Sequence, residues 1–138
     1  MLAVGLKNEM TWTVKEEHLA SSLGSGLVEV LATPVLVGLC EECARLMVEP
    51  LLDDGQKTVG TVVNLRHLAA TPVGMQVTVH AELVGIDNKR LRFRIEAWDE
   101  VECVAKAEHE RFIIDAERFA RRIAEKRQEV QDTERRGE

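Results

Sequence analysis

One long helix constrains this chain more than any other feature. In TPVLVGLCEECARLMVE (33 to 49), a step of about 100° per residue puts Val35, Leu36, Leu39, Cys40, Cys43, Leu46 and Met47 on one broad side. Glu42, Arg45 and Glu49 share the narrow remainder. An apolar arc this wide does not suit a helix resting on a surface, and a sheet with one apolar face is the natural cover for it. Thr33 stands where an N-cap is expected and Pro34 at the first helical position, where a missing N–H costs nothing, so the helix is expected from about 34 to 49.

The rest of the chain supplies such a sheet. Met10, Trp12 and Val14 alternate with threonines, the period of a half-buried strand. After DDG (53 to 55) the period is again two, in KTVGTVVNLRHLAA (57 to 70) and in MQVTVHAELVGI (75 to 86). Past a DNK turn, Leu91, Phe93, Ile95 and Ala97 point one way and Arg90, Arg92, Arg94 and Glu96 the other, as in a sheet with one wet face. VECVAKAEHERFII (101 to 114) completes the set, and a charged segment from Asp115 bearing Phe119 and Ile123 reads as a helix. Consecutive strands with turn-length connections are expected to pair antiparallel, since a parallel pair needs a crossover of about a dozen residues. The expected architecture is α+β, a five-stranded antiparallel sheet around one central helix, with a C-terminal helix.

Composition narrows the function. With 138 residues, 45% apolar and 30% charged, the chain suits one core rather than two. A net charge of −6 argues against nucleic acid, whose backbone is bound by clustered Lys and Arg. No window approaches the roughly 18 to 20 apolar residues of a membrane span, and MLAVGLKNE (1 to 9) lacks the parts of a leader, so no membrane partner and a cytoplasmic location are expected. Cys40, Cys43 and Cys103 lack disulfide-framework spacing, and the C-x-x-C has neither a redox setting nor a second zinc-ligand pair. No metal and no cofactor are expected, and Cys40 and Cys43 read as core packing.

The residue that asks for an explanation is Glu41. It falls at the border of the apolar arc, flanked by Val37, Ala44 and Val48, whereas Glu42 sits among polar neighbours. One account is an ordinary pair with Arg45 one turn on. The other places Glu41 in a cleft between subunits as a candidate acid, base or nucleophile.

Three stretches together resemble the hot-dog-fold thioesterases, and within them the fluoroacetyl-CoA thioesterase group: VLATPVLVGLCEECARLM (30 to 47), VGTVVNLRHLAATPVGMQVTVHAELV (59 to 84) and AEHERFIID (107 to 115). The resemblance implies a sheet wrapped around the helix, a homodimer or dimer of dimers with active sites at the subunit interface, and a small acyl-CoA substrate. It implies a catalytic set of Thr33, Glu41 and His67, with Gly60 and Arg111 in substrate-binding roles. The chemistry is coherent, because a thioester carbonyl needs an attacking oxygen, a proton shuttle and a hold on the oxyanion. Each residue also has an ordinary reading: Thr33 as a helix cap, His67 as a buried imidazole bonded to backbone, Gly60 as a bulge, Arg111 as a surface pair with Glu108 or Glu110. The row Arg90, Arg92 and Arg94 reads as a wet face, and His18, His80 and His109 receive no role.

The fluoroacetate-specific members resemble each other in a phenylalanine-bearing lid ahead of the helix. Here LASSLGSGLVEV (19 to 30) holds no aromatic residue, although its SSLGSG suits a mobile flap. A hot-dog domain spanning 1–120 and a charged helical tail spanning 121–138 are expected. The alternative to a hydrolase is a non-catalytic acyl-CoA-binding module of the same fold, which fold alone does not separate.

Overall fold

The computed structural model describes residues 1–137. Its strands are β1 (Lys7–Thr13), β2 (Gln56–His67), β3 (Gln76–Asp87), β4 (Arg90–Trp98) and β5 (Cys103–Asp115). Its helices are α1, a single turn at Ala20–Leu23, α2 (Thr33–Val48) and α3 (Ala116–Arg136). The strands form one antiparallel sheet in the order β1-β3-β4-β5-β2.

The core follows the alternation of the strands. Val77, Val79, Ala81 and Leu83 of β3 and Leu91, Phe93, Ile95 and Ala97 of β4 are buried, and so are Leu36, Cys40, Cys43, Ala44, Met47 and Val48 of α2. The helix therefore lies in the curl of the sheet with its broad apolar side inward. Burial pushes the Cys40 thiol up to about 12 and the Cys43 thiol up to about 11, so both pack as small apolar groups. The opposite sheet face is wet: Arg92 and Arg94 stand across from Glu110 and Glu108, and Arg94 reaches Glu82 at 3.7 Å.

The expectation that consecutive strands pair holds for β3 with β4 and β4 with β5, but not for β2 with β3. β2 lies on the far edge beside β5, while β3 is flanked by β1 and β4. The connection 68–75 carries the chain from one side of the sheet toward the other, anchored by a bridge between Val30 and Pro72 and by Leu31 N–H donating to the Thr71 carbonyl at 2.8 Å. Eight residues are long enough to cross over the helix entrance instead of closing a hairpin.

Two further details position the site. In β2 the register with β5 shifts between Gly60 and Val62, leaving Thr61 as an extra residue. Strict alternation would put Gly60 and His67 on opposite faces; the extra residue puts both on the helix side. At the chain's other end, Asp115 caps α3 by accepting from Arg118 N–H at 2.9 Å, and α3 runs unbroken through residue 120 with no buried residue.

Candidate active site

The first turn of α2 departs from the sequence expectation. Ala32 occupies the N-cap, and the Thr33 side chain makes no cap bond. Its hydroxyl instead meets His67 Nδ1 at 2.7 Å. Thr33 is thereby tied to the last residue of β2, and the pair lines a cleft of about 370 Å³ with Ala20, Leu31, Leu68 and Ala69. His67 Nε2 is buried and, among the described residues, has no hydrogen-bond partner. A buried ring nitrogen without a partner is costly unless a ligand or another chain completes it. Burial also holds the His67 pKa below its ordinary value, so the ring is neutral near pH 7.

Two turns further along α2, Glu41 faces a different group. Arg45 is not its partner, since Arg45 Nη1 donates to Glu49 Oε2 at 2.8 Å. Glu41 Oε2 lies 3.4 Å from Arg111 Nη1 across the core. Arg111 is only 5% exposed and points away from Glu108 and Glu110. Its Nε donates to Thr58 Oγ1 at 2.8 Å and its Nη2 to the Thr58 carbonyl at 3.1 Å. Burial lowers the guanidinium pKa, and the Glu41 carboxylate opposes that shift.

Gly60 is what makes room for this arrangement. A Cβ there would collide with Glu41 Oε2 and press on Arg111 Nη1 at 3.2 Å. The glycine lies at the register shift, as its ordinary reading as a bulge expected, and its missing side chain leaves the space that the Glu41 carboxylate occupies.

His109, left without a role by sequence reasoning, belongs to the same group. Its Nδ1 lies 2.7 Å from the Val62 carbonyl and its Nε2 3.3 Å from Arg111 Nη1. The signal was present: His109 and Arg111 fall on the inward row of β5, between Ala107 and Ile113, where the alternation calls for apolar residues.

Within one protomer the two groups stay apart. Thr33 and Glu41 are eight residues along α2, about 12 Å at 1.5 Å per residue. Gly60 and His67 lie seven residues apart on β2, whose outer edge is unpaired among the described residues. A larger groove of about 540 Å³, on the outer face by Lys7, Glu9, His80, Glu82, Arg94 and Glu96, contains charges that pair with one another, such as Arg94 with Glu82 at 3.7 Å. It lies on the opposite side of the sheet from the residues described above.

Residues 14–117 match the family described as fluoroacetyl-CoA-specific thioesterase. The chain belongs to that family. Membership makes it a thioester hydrolase of the hot-dog fold. It is 41% identical over 99 residues to the fluoroacetyl-CoA thioesterase of Streptantibioticus cattleyicolor, covering 71% of this chain and 70% of that one. It superposes on a solved fluoroacetyl-CoA thioesterase with a TM-score of 0.87 at 32% identity, over 91% of this chain and 98% of that one. A thioesterase superfamily member from Thermus thermophilus shares the fold, with a TM-score of 0.89 at 23% identity over 94% of this chain and 96% of that one. Among the described residues no helix of this fluoroacetyl-CoA-specific thioesterase family member is long and apolar enough to cross a membrane.

Proposed function

We propose that the protein hydrolyses a small acyl-CoA thioester to the free acid and CoA, with Thr33, Glu41 and His67 as its catalytic set at a homodimer interface in the cytoplasm. The observation that carries the reading is the Thr33–His67 contact of 2.7 Å beside a buried Nε2 that nothing among the described residues engages. In the tautomer with its proton on Nε2, His67 accepts the Thr33 hydroxyl hydrogen at Nδ1 and offers Nε2–H to a carbonyl oxygen or a departing sulfur. Either Glu41 attacks the carbonyl carbon itself, giving an acyl–Glu41 anhydride that a water then hydrolyses to the free acid, or it takes a proton from a water whose oxygen attacks; in both cases the C–S bond breaks as the tetrahedral adduct collapses, and the CoA thiolate takes up a proton from protonated Glu41 or from solvent. The backbone N–H groups of the first turn of α2, beside Thr33, are placed to stabilise negative charge on the carbonyl oxygen.

The free edge of β2 supports the dimer. Two-fold antiparallel pairing of β2 with a second copy, centred on Asn64, sets Gly60 opposite the partner's His67, because the extra residue at Thr61 has put both on the inner face. That pairing joins the Glu41 group of one protomer to the Thr33–His67 pair of the other. It also removes an exposed strand edge.

The acyl group is small, and the lid segment argues against strict selection of the fluorinated one, since Leu23, Leu27 and Val28 stand where the resemblance leads one to expect an aromatic side chain. Turnover of acetyl-, fluoroacetyl- and propionyl-CoA by wild type and by Glu41→Ala tests the proposal. Wild type is expected to cleave at least one ester, with fluoroacetyl-CoA favoured less than about 100-fold in kcat/KM over acetyl-CoA, and the variant to lose about 10³-fold in kcat. A variant as fast as wild type removes Glu41 from the chemistry. Thermal stabilisation by CoA esters without cleavage by wild type would instead establish a binding module.

A further inference from the structure

The feature that the catalytic set leaves unused is an imidazole sealed inside the core. His109 is 1% exposed and stacks on Phe93 with ring centroids 5.7 Å apart. A phenylalanine or leucine would fill such a place without having to satisfy two polar nitrogens, so the histidine needs a reason.

The hydrogen bonds supply one. The Val62 carbonyl only accepts, so His109 Nδ1 must carry a hydrogen toward it at 2.7 Å. Arg111 has no acceptor atom, so at 3.3 Å His109 Nε2 must be the bare, accepting nitrogen. The two neighbours therefore select one neutral tautomer. Protonation would set an N–H against the guanidinium, and the groups around the ring are Arg111 and Glu110 on β5 and Glu41 on α2. Burial, with Arg111, also disfavours the cation.

Arg111 Nη1 sits between His109 Nε2 and Glu41 Oε2, 3.3 Å from one and 3.4 Å from the other. Thr58 holds Nε and Nη2, and because the guanidinium is planar, these two bonds and the one to His109 together fix where Nη1 lies. A chain of contacts thus runs from the Val62 carbonyl, at the register shift of β2, through His109 and Arg111 to the Glu41 carboxylate beside Gly60.

We infer that His109 is a positioning residue: as a neutral hydrogen-bond acceptor it completes, with Thr58, the hold on the Arg111 guanidinium, and through Nη1 it keeps the Glu41 carboxylate directed at the reacting thioester. This rests on the hydrolase reading above, and it assigns His109 no contact with substrate. Outer partners of this kind are typically worth about 10- to 100-fold in rate.

Three substitutions separate the two ring nitrogens. His109→Gln keeps an acceptor near the position of Nε2, His109→Asn keeps a donor near that of Nδ1, and His109→Phe keeps only the packing. The expected result is a kcat within about fivefold of wild type for His109→Gln and a fall of about 30-fold or more for the other two, with KM within about threefold throughout. A His109→Phe enzyme with wild-type kcat, or a His109→Gln enzyme as slow as His109→Phe, overturns the inference.

A second arm is independent of turnover and of how the variants fold. Nitrogen-15 NMR of the wild-type imidazole at pH 7 is expected to show Nδ1 protonated and Nε2 bare, and a protonated Nε2 overturns the inference. If wild type cleaves no ester, the hydrolase reading fails by itself. The crystal structures of the variants then decide the positioning: a Glu41–Arg111 ion pair that is broken in His109→Phe and intact in His109→Gln supports it, and a pair intact in both sinks it.

Discussion

Helix α2 meets the sheet at two polar points, and they are built in opposite ways. At its first turn, Thr33 and His67 form one hydrogen bond at the mouth of a cleft and leave a ring nitrogen unengaged among the described residues. Two turns on, Glu41 joins Arg111, Thr58, His109 and Gly60 in a group whose donors and acceptors are largely matched to one another. The first point is incompletely paired among the described residues; the second holds a partly exposed carboxylate against a buried guanidinium. A pre-set electrostatic group need not reorganise as charge develops during reaction, whereas an open donor and acceptor pair suits proton movement to and from an entering substrate.

The comparison breaks most severely at Gly60. Gly60→Ala drives a methyl into the space of the Glu41 carboxylate, which that flexible side chain can vacate only by leaving its place beside Arg111, so a loss of about 10²-fold in kcat with less than about 1 kcal/mol of stability is expected, read by steady-state kinetics and urea unfolding. The open point should respond to chemistry rather than to volume. Thr33→Val is expected to lower kcat about 10- to 100-fold with only a small fall in the unfolding midpoint, since the side chain caps nothing and its one hydrogen bond is exposed, while Thr33→Ser retains most of the activity.

The pH dependence sharpens the contrast further. His67 and His109 both have folded pKa values held below the ordinary value of about 6.5, chiefly by burial. The unfolded chain therefore binds more protons than the native one between the folded values and about 6.5. Stability is fully present above that window and falls as pH drops through it. The thermal midpoint should decline below about pH 6.5, and less steeply in His109→Gln, which lacks one of the two groups. The smallest effect is expected for Arg45→Ala: its partner is Glu49 on an exposed face, so about 0.3–0.5 kcal/mol of stability and no change in kcat are expected. A large kinetic effect there would tie Glu41 to Arg45 after all.

Much of this was legible along the chain. The wide apolar arc of the helix, the inward rows of β3 and β4, the Asp87-Asn88-Lys89 turn with Asn88 at φ 55°, and the charged C-terminal helix follow from side-chain period and local turn chemistry, which depend on neighbours in sequence. Glu41 stood out for the same reason, as a carboxylate at the border of an apolar arc. The alternation in β5 also marked His109 and Arg111 as polar residues turned inward, a signal that went unused for His109.

What the order of residues determined by itself is the kind of fold and the short list of groups able to do chemistry. Only the tertiary structure decided which of them meet. It placed β2 against β5 rather than β3, exchanged the Thr33 cap for a bond to His67, and gave Glu41 to Arg111 seventy positions away rather than to Arg45 on the next turn. One extra residue at Thr61 turned Gly60 and His67 to the same face. Such choices depend on competition among partners distant in sequence, where a single slip in strand register reverses which side chains face the helix.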